Sequence, residues 1–348
     1  MKKKQAIQRI GLLSLCHMGV DFLCAFSLYH HFSDRCEAFL LYNFCAFALQ
    51  LPLGILIDIW SERKDKALLP GIVFTGTGVL LTVLGSYVSH IILGIGNAFF
   101  HVGGGVLTIH DDDDCGFDGR GLGTFVAPGA IGLILGTLYH GTAFFEWIRI
   151  LVSAAMILIA FFLYRNRKER SLTHNGKVFD PGDSDLLFLI LACFAVVILR
   201  SLTGMAISFT WKTSNAIVIL SVIALAFGKT AGGFLSARFG MKKTVIVTLS
   251  LSALAYVFGN TMSAGLAALF LFNMTMPLTL YLLVRNMSDM PGFAFGILTL
   301  GLFLGYLPVY YSLMKGMDPF PFGTISSLIS LVILYAAVSR SEKRNGNG

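Results

Sequence analysis

Apolar runs about twenty residues long recur from one end of this chain to the other. A helix of roughly 20 residues is what it takes to cross a hydrocarbon core, and no other feature restricts the fold as much. Only 13% of the 348 residues are charged, against about 25% in an ordinary soluble protein. Most of the chain is therefore not built to face water. In lipid the backbone must satisfy its own N–H and C=O groups, as helices or as a closed barrel. Strict apolar/polar alternation is absent, so helices are expected. The runs fall at 10–30, 37–60, 67–88, 90–109, 121–140, 143–164, 186–208, 216–237, 243–259, 264–284, 292–314 and 320–339. The longest polar gap, 165–185, splits them six and six. The expected fold class is all-α integral membrane, with 12 transmembrane helices in two six-helix bundles. The expected domains are 1–164, a cytoplasmic linker 165–185, and 186–348.

The net charge of +7 raises nucleic acid as a partner, but the placement of the basic residues points to topology instead. With a cytoplasmic N-terminus, 20 of the 26 Lys and Arg lie on the inner side, as the positive-inside rule requires. Both termini are then cytoplasmic, in a multi-pass protein of the plasma (inner) membrane. Trp60, Trp147 and Trp211 fall at helix ends and read as an aromatic belt. The six cysteines show no paired metal spacing, and no P-loop appears. Neither metal nor cofactor is expected, and a monomer is.

Two inner corners repeat. "GILIDIWSERK" (54–64) and "GFLSARFGMKK" (233–243) stand 179 residues apart, about half the chain. Each opens on Gly with Leu two residues on, and each closes on two basic residues. Half-chain repeats mark many transporter folds. These corners resemble the signature of the major facilitator superfamily, G-x-L-x-D-R-x-G-R-R-K. The first keeps Gly54, Asp58 and Arg63; the second keeps Gly233 and Arg238 but has Ala237 in place of the acid. The resemblance implies gating roles for these five residues. An Asp past a helix C-terminus is disfavoured unless a cation or another helix end holds it, so Asp58 is expected to pair with Arg63 or with a neighbouring helix terminus. Span five, "GRGLGTFVAPGAIGLILG" (119–136), resembles the glycine- and proline-rich fifth helix of the superfamily's exporters; plain tight packing is the other reading.

Ionisable residues inside a span are costly and read as functional. His17 and Asp21 stand four apart in span one, and Asn97 and His101 four apart in span four; each pair shares a helix face. Arg200 lies in span seven and Asn273 in span ten. In the superfamily, spans one, four, seven and ten line the central cavity. The strings H-x-x-x-D and G-x-G-N-A-F-F-H resemble fosmidomycin-resistance-type drug exporters, with Val102 where that branch usually has Pro. The resemblance implies a proton-coupled exporter of small molecules working by alternating access, with lipid and protons as further partners. Asp21 would exchange a proton, Arg200 would tune it, and His17 or His101 would relay it or hold substrate.

"HDDDDCGFDGR" (110–120) reads as a solvated loop between spans four and five. A rival reading takes Asp111–Asp114 with "DPGDSD" (180–185) as the magnesium-holding acids of an intramembrane prenyltransferase. The twelve spans and the repeated corners favour the transporter. A transport-inactive sensor on the same fold is the remaining alternative.

Overall fold

A computed structural model describes residues 2–62, 68–165 and 182–346. They are helical almost throughout, and eleven helices among them are long and apolar enough to cross a membrane. In chain order the first six are α1 (Lys3–Phe32), α2 (Cys36–Ser61), α3 (Leu68–Val88), α4 (His90–Cys115), α5 (Arg120–Tyr139) and α6 (Phe145–Arg165). Then come α7 (Ser184–Ala206) and α8 (Asn215–Phe239). The ninth expected run is the helix α9 (Met241–Val257), 17 residues long and so short of a full crossing by the same standard. Last are α10 (Met262–Asn286), α11 (Pro291–Tyr310) and α12 (Pro319–Arg344). This is a multi-pass membrane protein.

Helices six apart resemble one another in how much of their apolar stretch is buried. The shares are 61% and 56% for α1 and α7, 33% and 28% for α2 and α8, 78% and 72% for α4 and α10, and 50% for both α5 and α11. The likeness fades for α6 and α12, at 22% and 39%.

The described residues pack as two compact units. The first is drawn from Met1–Gly116, Thr124–Asn175 and Met290–Leu300; the second from Phe117–Gly123, Gly176–Asp289 and Gly301–Gly348. In the first unit α4 is the central helix, with nearly every residue from Gly96 to Asp112 buried. The Ser89 hydroxyl caps its N-terminus by accepting the Ile91 N–H. Peripheral α6 is tied in by Arg149. That side chain donates to the Ser86 carbonyl at 2.9 Å, lies 3.6 Å over the Tyr87 ring and pairs with Glu146, as their spacing suggests.

The start of α11 packs in this same unit. Asp58 accepts the backbone N–H of Gly292 at 2.8 Å and of Phe293 at 2.7 Å. Of its two expected partners, the neighbouring helix terminus is therefore present; Arg63 lies outside the described residues. Pro291 opens that helix without an N–H, and the next two donors, which the helix leaves unsatisfied, are met by a carboxylate that the helix dipole also favours. The approach needs glycine on both sides, since a Cβ on Gly54 would meet the Gly292 carbonyl and one on Gly292 the Gly54 carbonyl.

In the second unit the Trp211 indole donates to the Gly259 carbonyl at 2.9 Å, and Ser252 bonds Ser327 between α9 and α12 at 3.0 Å. Trp211 is thus a packing residue as much as a belt residue. Trp60, partly buried, likewise packs on a buried cluster of Ile57, Phe74, Val102 and Val106. Trp147, by contrast, is exposed.

The acidic run is the clearest correction. Asp111–Asp114 are not a loop; α4 continues through them to Cys115. Gly116 ends the helix in the left-handed region at φ +61°, its N–H bonding the Asp112 and Asp113 carbonyls. Asp111 and Asp112 are buried. Asp111 is held by the Arg9 guanidinium of α1 through both Nε and Nη2, so the run is anchored and not simply solvated. Aspartates at a helix C-terminus oppose the dipole, and that is why the sequence reads as a break.

Candidate functional site

The site is built where α1, α4 and α5 meet. His17 and Asp21 occupy one face of α1, one turn apart, and their side chains approach to 3.2 Å. Asn97 and His101 occupy one face of α4 in the same way. The Asn97 Nδ2 donates to Asp21 Oδ1 at 3.0 Å, and His101 Nε2 lies 3.6 Å from that oxygen. The two imidazoles meet edge to face, with ring centroids 4.4 Å apart at 87°. Thus four of the six side chains expected to bind substrate or protons converge inside the first unit, near the middle of their helices.

The third wall comes from α5, where Pro128 interrupts the helical hydrogen bonding. Pro128 has no N–H, so the Thr124 carbonyl loses its helical donor. Ser14 Oγ of α1 lies 3.2 Å from that carbonyl and 2.7 Å from Ile10 O. One residue on, the Phe125 carbonyl stands 2.8 Å from His17 Nδ1. Gly129 then brings the α5 backbone over the cluster: a Cβ there would collide with His17 Nε2 and Asp21 Oδ2. Gly132 and Gly136 continue the contact, against the Met18 and Phe22 carbonyls. The glycine stripe of span five is thus the surface that lets α5 seat on α1.

Hydrogen bonding fixes the tautomers. A backbone carbonyl only accepts, so His17 Nδ1 carries a hydrogen toward Phe125 O, and His101 Nδ1 carries one toward Asn97 O, also at 2.8 Å. In the neutral rings each Nε2 then presents a lone pair. Those two nitrogens are 2.8 Å apart, with the Asp21 carboxylate beside both. Three electron-pair donors facing one another are stable only around something positive. His17 and His101 are buried, whereas the Asp21 side chain keeps 15% of its surface open.

Arg200 and Asn273 belong to the second unit. Arg200 is 8% exposed, and its Nε and Nη2 have no hydrogen-bond partner among the described residues. Asn273 is buried and bonds back along its own helix to the Leu269 carbonyl at 2.9 Å. Its own carbonyl loses a helical donor to Pro277, and α10 breaks there at Met274. Of the corner residues, Gly233 abuts the Gly119 carbonyl, and Arg238 lies 5.6 Å from the Phe239 ring.

Three of the acids offered for magnesium diphosphate are engaged elsewhere. Asp111 is held by Arg9, Asp183 caps α7 and binds Arg344 at 2.8 Å, and Asp185 pairs with Arg340 at 3.6 Å. The Leu186 N–H, with Arg344 behind it, keeps the Asp183 carboxyl below the usual carboxylate range. Asp180 lies outside the described residues.

No protein-family profile matches the chain, and no curated protein matches it in sequence. Solved structures do. The E. coli fucose:proton symporter FucP superposes with a TM-score of 0.67 at 15% identity, over 98% of this chain and 99% of that one. A second FucP structure, described as a major facilitator superfamily transporter in the outward conformation, gives 0.67 at 16%, over 96% and 98%. The chain shares the fold of these two structures. A bacterial homologue of the iron transporter ferroportin, outward-facing, matches at 0.60 and 15%, over 99% and 100%. The first two are described as a symporter and a transporter, the third as a homologue of a transporter.

Sequence reasoning missed three features of the site, the Phe125 carbonyl, Gly129 as its lid and Cys24 against Asn97 at 3.7 Å, and, at the far end of α4, the Arg9–Asp111 pair. The proline four residues after Thr124 signalled a freed carbonyl. Nothing in sequence pointed to Cys24.

Proposed function

We propose that this chain is a secondary active transporter that moves a small solute by alternating access, outward and coupled to protons. One observation carries the reading: side chains from two separate membrane helices converge on a buried polar cluster inside a transporter fold. Ionisable groups in that setting cost several kcal/mol and by default mark a functional site. The proton symport by which FucP is described supports protons as the coupling ion. The H-x-x-x-D and G-x-G-N-A-F-F-H strings, similar to those of fosmidomycin-resistance-type exporters, support the outward direction.

The matched burial of helices six apart supports two six-helix bundles. In this reading His17, Asp21, Asn97 and His101 of the first unit and Arg200 and Asn273 of the second carry the binding roles. Gly54, Asp58, Arg63, Gly233 and Arg238 act as gates. Arg200, buried with unmet donors, suits an anionic group on the solute or its counter-ion. The protein works as a monomer in the plasma membrane with both termini inside.

The test is a thermal-stabilisation screen of the purified full chain against small solutes, repeated with Asp21→Asn and Arg200→Gln. A solute that stabilises the wild type and neither variant supports the reading. Stabilisation by the same solute to the same extent in all three would end it.

A further inference from the structure

We propose that His17, His101 and Asp21 form a three-ligand site for a divalent transition-metal ion, and that this ion is the transported solute. The second half rests on the transport reading above; the first stands on geometry alone.

Bonds of about 2.0–2.2 Å to a tetrahedral ion set its ligand atoms roughly 3.3–3.6 Å apart. Here His17 Nε2 to Asp21 Oδ2 at 3.2 Å and His101 Nε2 to Asp21 Oδ1 at 3.6 Å come close to that spacing, and the Nε2 pair, at 2.8 Å, must open by about 0.5 Å to take the ion. All three groups offer a ligand atom within 4.8 Å of the others. Both imidazoles already have the orientation a ligand needs. A metal-bound His usually donates its other ring N–H to a carbonyl or carboxylate, and here Phe125 O and Asn97 O take that role at 2.8 Å each. Asn97 Nδ2 in turn steadies the carboxylate through Oδ1, the oxygen nearer His101, and leaves Oδ2 toward His17.

The donor set selects the metal. Two imidazoles and one carboxylate suit zinc, iron, cobalt or nickel, whereas magnesium and calcium prefer all-oxygen shells. The ligand number selects the role. Structural zinc sites close with four protein ligands; three leave a position open for water or an exchanging group. A cargo ion must be able to leave, and the partly open Asp21 provides the exit side. The sequence hid the site because its ligands come from two helices 84 residues apart, His17 to His101, and not from a short Cys/His spacing.

The test uses tag-free, full-length protein carrying Cys36→Ser, which removes the exposed thiol as a competing ligand. Co²⁺ titration reads the visible absorption of a four-coordinate imidazole–carboxylate site, and Zn²⁺ calorimetry reads stoichiometry. The expected result is one ion per chain, with affinity reduced roughly 100-fold or more in His101→Gln and in Asp21→Asn. The wild-type Co²⁺ spectrum decides even if a variant fails to fold. No saturable binding, or binding unchanged in both folded variants, overturns the site and leaves a proton as the positive occupant.

Zn²⁺ flux in proteoliposomes, read by an internal dye, tests the cargo assignment. Saturable flux lost in Asp21→Asn supports it. Metal bound at the triad without Zn²⁺ flux overturns the cargo half only. If no solute from the stabilisation screen moves either, the transport reading itself falls.

Discussion

At the scale of single residues, two substitutions in α5 separate site chemistry from packing. A methyl on Gly129 pushes on the far ends of His17 and Asp21, whereas one on Gly132 meets the Met18 backbone carbonyl. Gly129→Ala is expected to weaken ligand binding at the cluster roughly tenfold or more with modest loss of thermal stability. Gly132→Ala is expected to destabilise the fold itself; binding isotherms and unfolding midpoints measured on both variants check the contrast. Arg9 offers a second case. Its partner Asp111 is 1% exposed, and removing one member of a buried pair costs about 3 kcal/mol. Arg9→Ala should lower the unfolding midpoint, and Arg9→Ala with Asp111→Asn should recover part of the loss. The polar residues of the site were legible in sequence because they break apolar runs at helical spacing: His17 with Asp21, Asn97 with His101. The backbone groups that orient them were not, since a carbonyl such as that of Phe125 has no side-chain signature.

At the scale of elements, the end of α4 separates a helix from a loop. Gly116 has φ +61° and open space where a Cβ would go, so its substitution is a purely conformational cost. Gly116→Ala should destabilise by about 1 kcal/mol, seen in the unfolding midpoint, where a free loop would show no change. Here the sequence misled for a physical reason. Four aspartates have poor helix propensity and the wrong sign for a C-terminus, yet Arg9 and the glycine cap carry the helix through them. The Asp58 contact is the converse: of the two alternative partners expected for it, the neighbouring helix terminus is present. Asp58→Ala removes two charge-assisted bonds to the start of α11 and should cost about 2–3 kcal/mol. Asp58→Asn keeps one acceptor oxygen and should cost less, in the same unfolding measurement.

At the scale of the whole molecule, the apolar runs placed all twelve helices to within a few residues at most ends. α4 ran longer than its hydropathy suggested, and α11 stopped sooner, at Tyr310, shortly after Pro308. Length and hydropathy determine the spans because lipid leaves the backbone no other choice. They say nothing of which helices exchange side chains, and so the meeting of α1, α4 and α5 needed coordinates. The central claim is that solute crosses through the cluster of His17, Asp21 and His101. Its most direct test is flux of the stabilising solute in proteoliposomes under an imposed proton gradient, for wild type and Asp21→Asn side by side. The account predicts saturable flux in the wild type and a rate no higher than protein-free vesicles in the variant; equal flux from both proteins contradicts it.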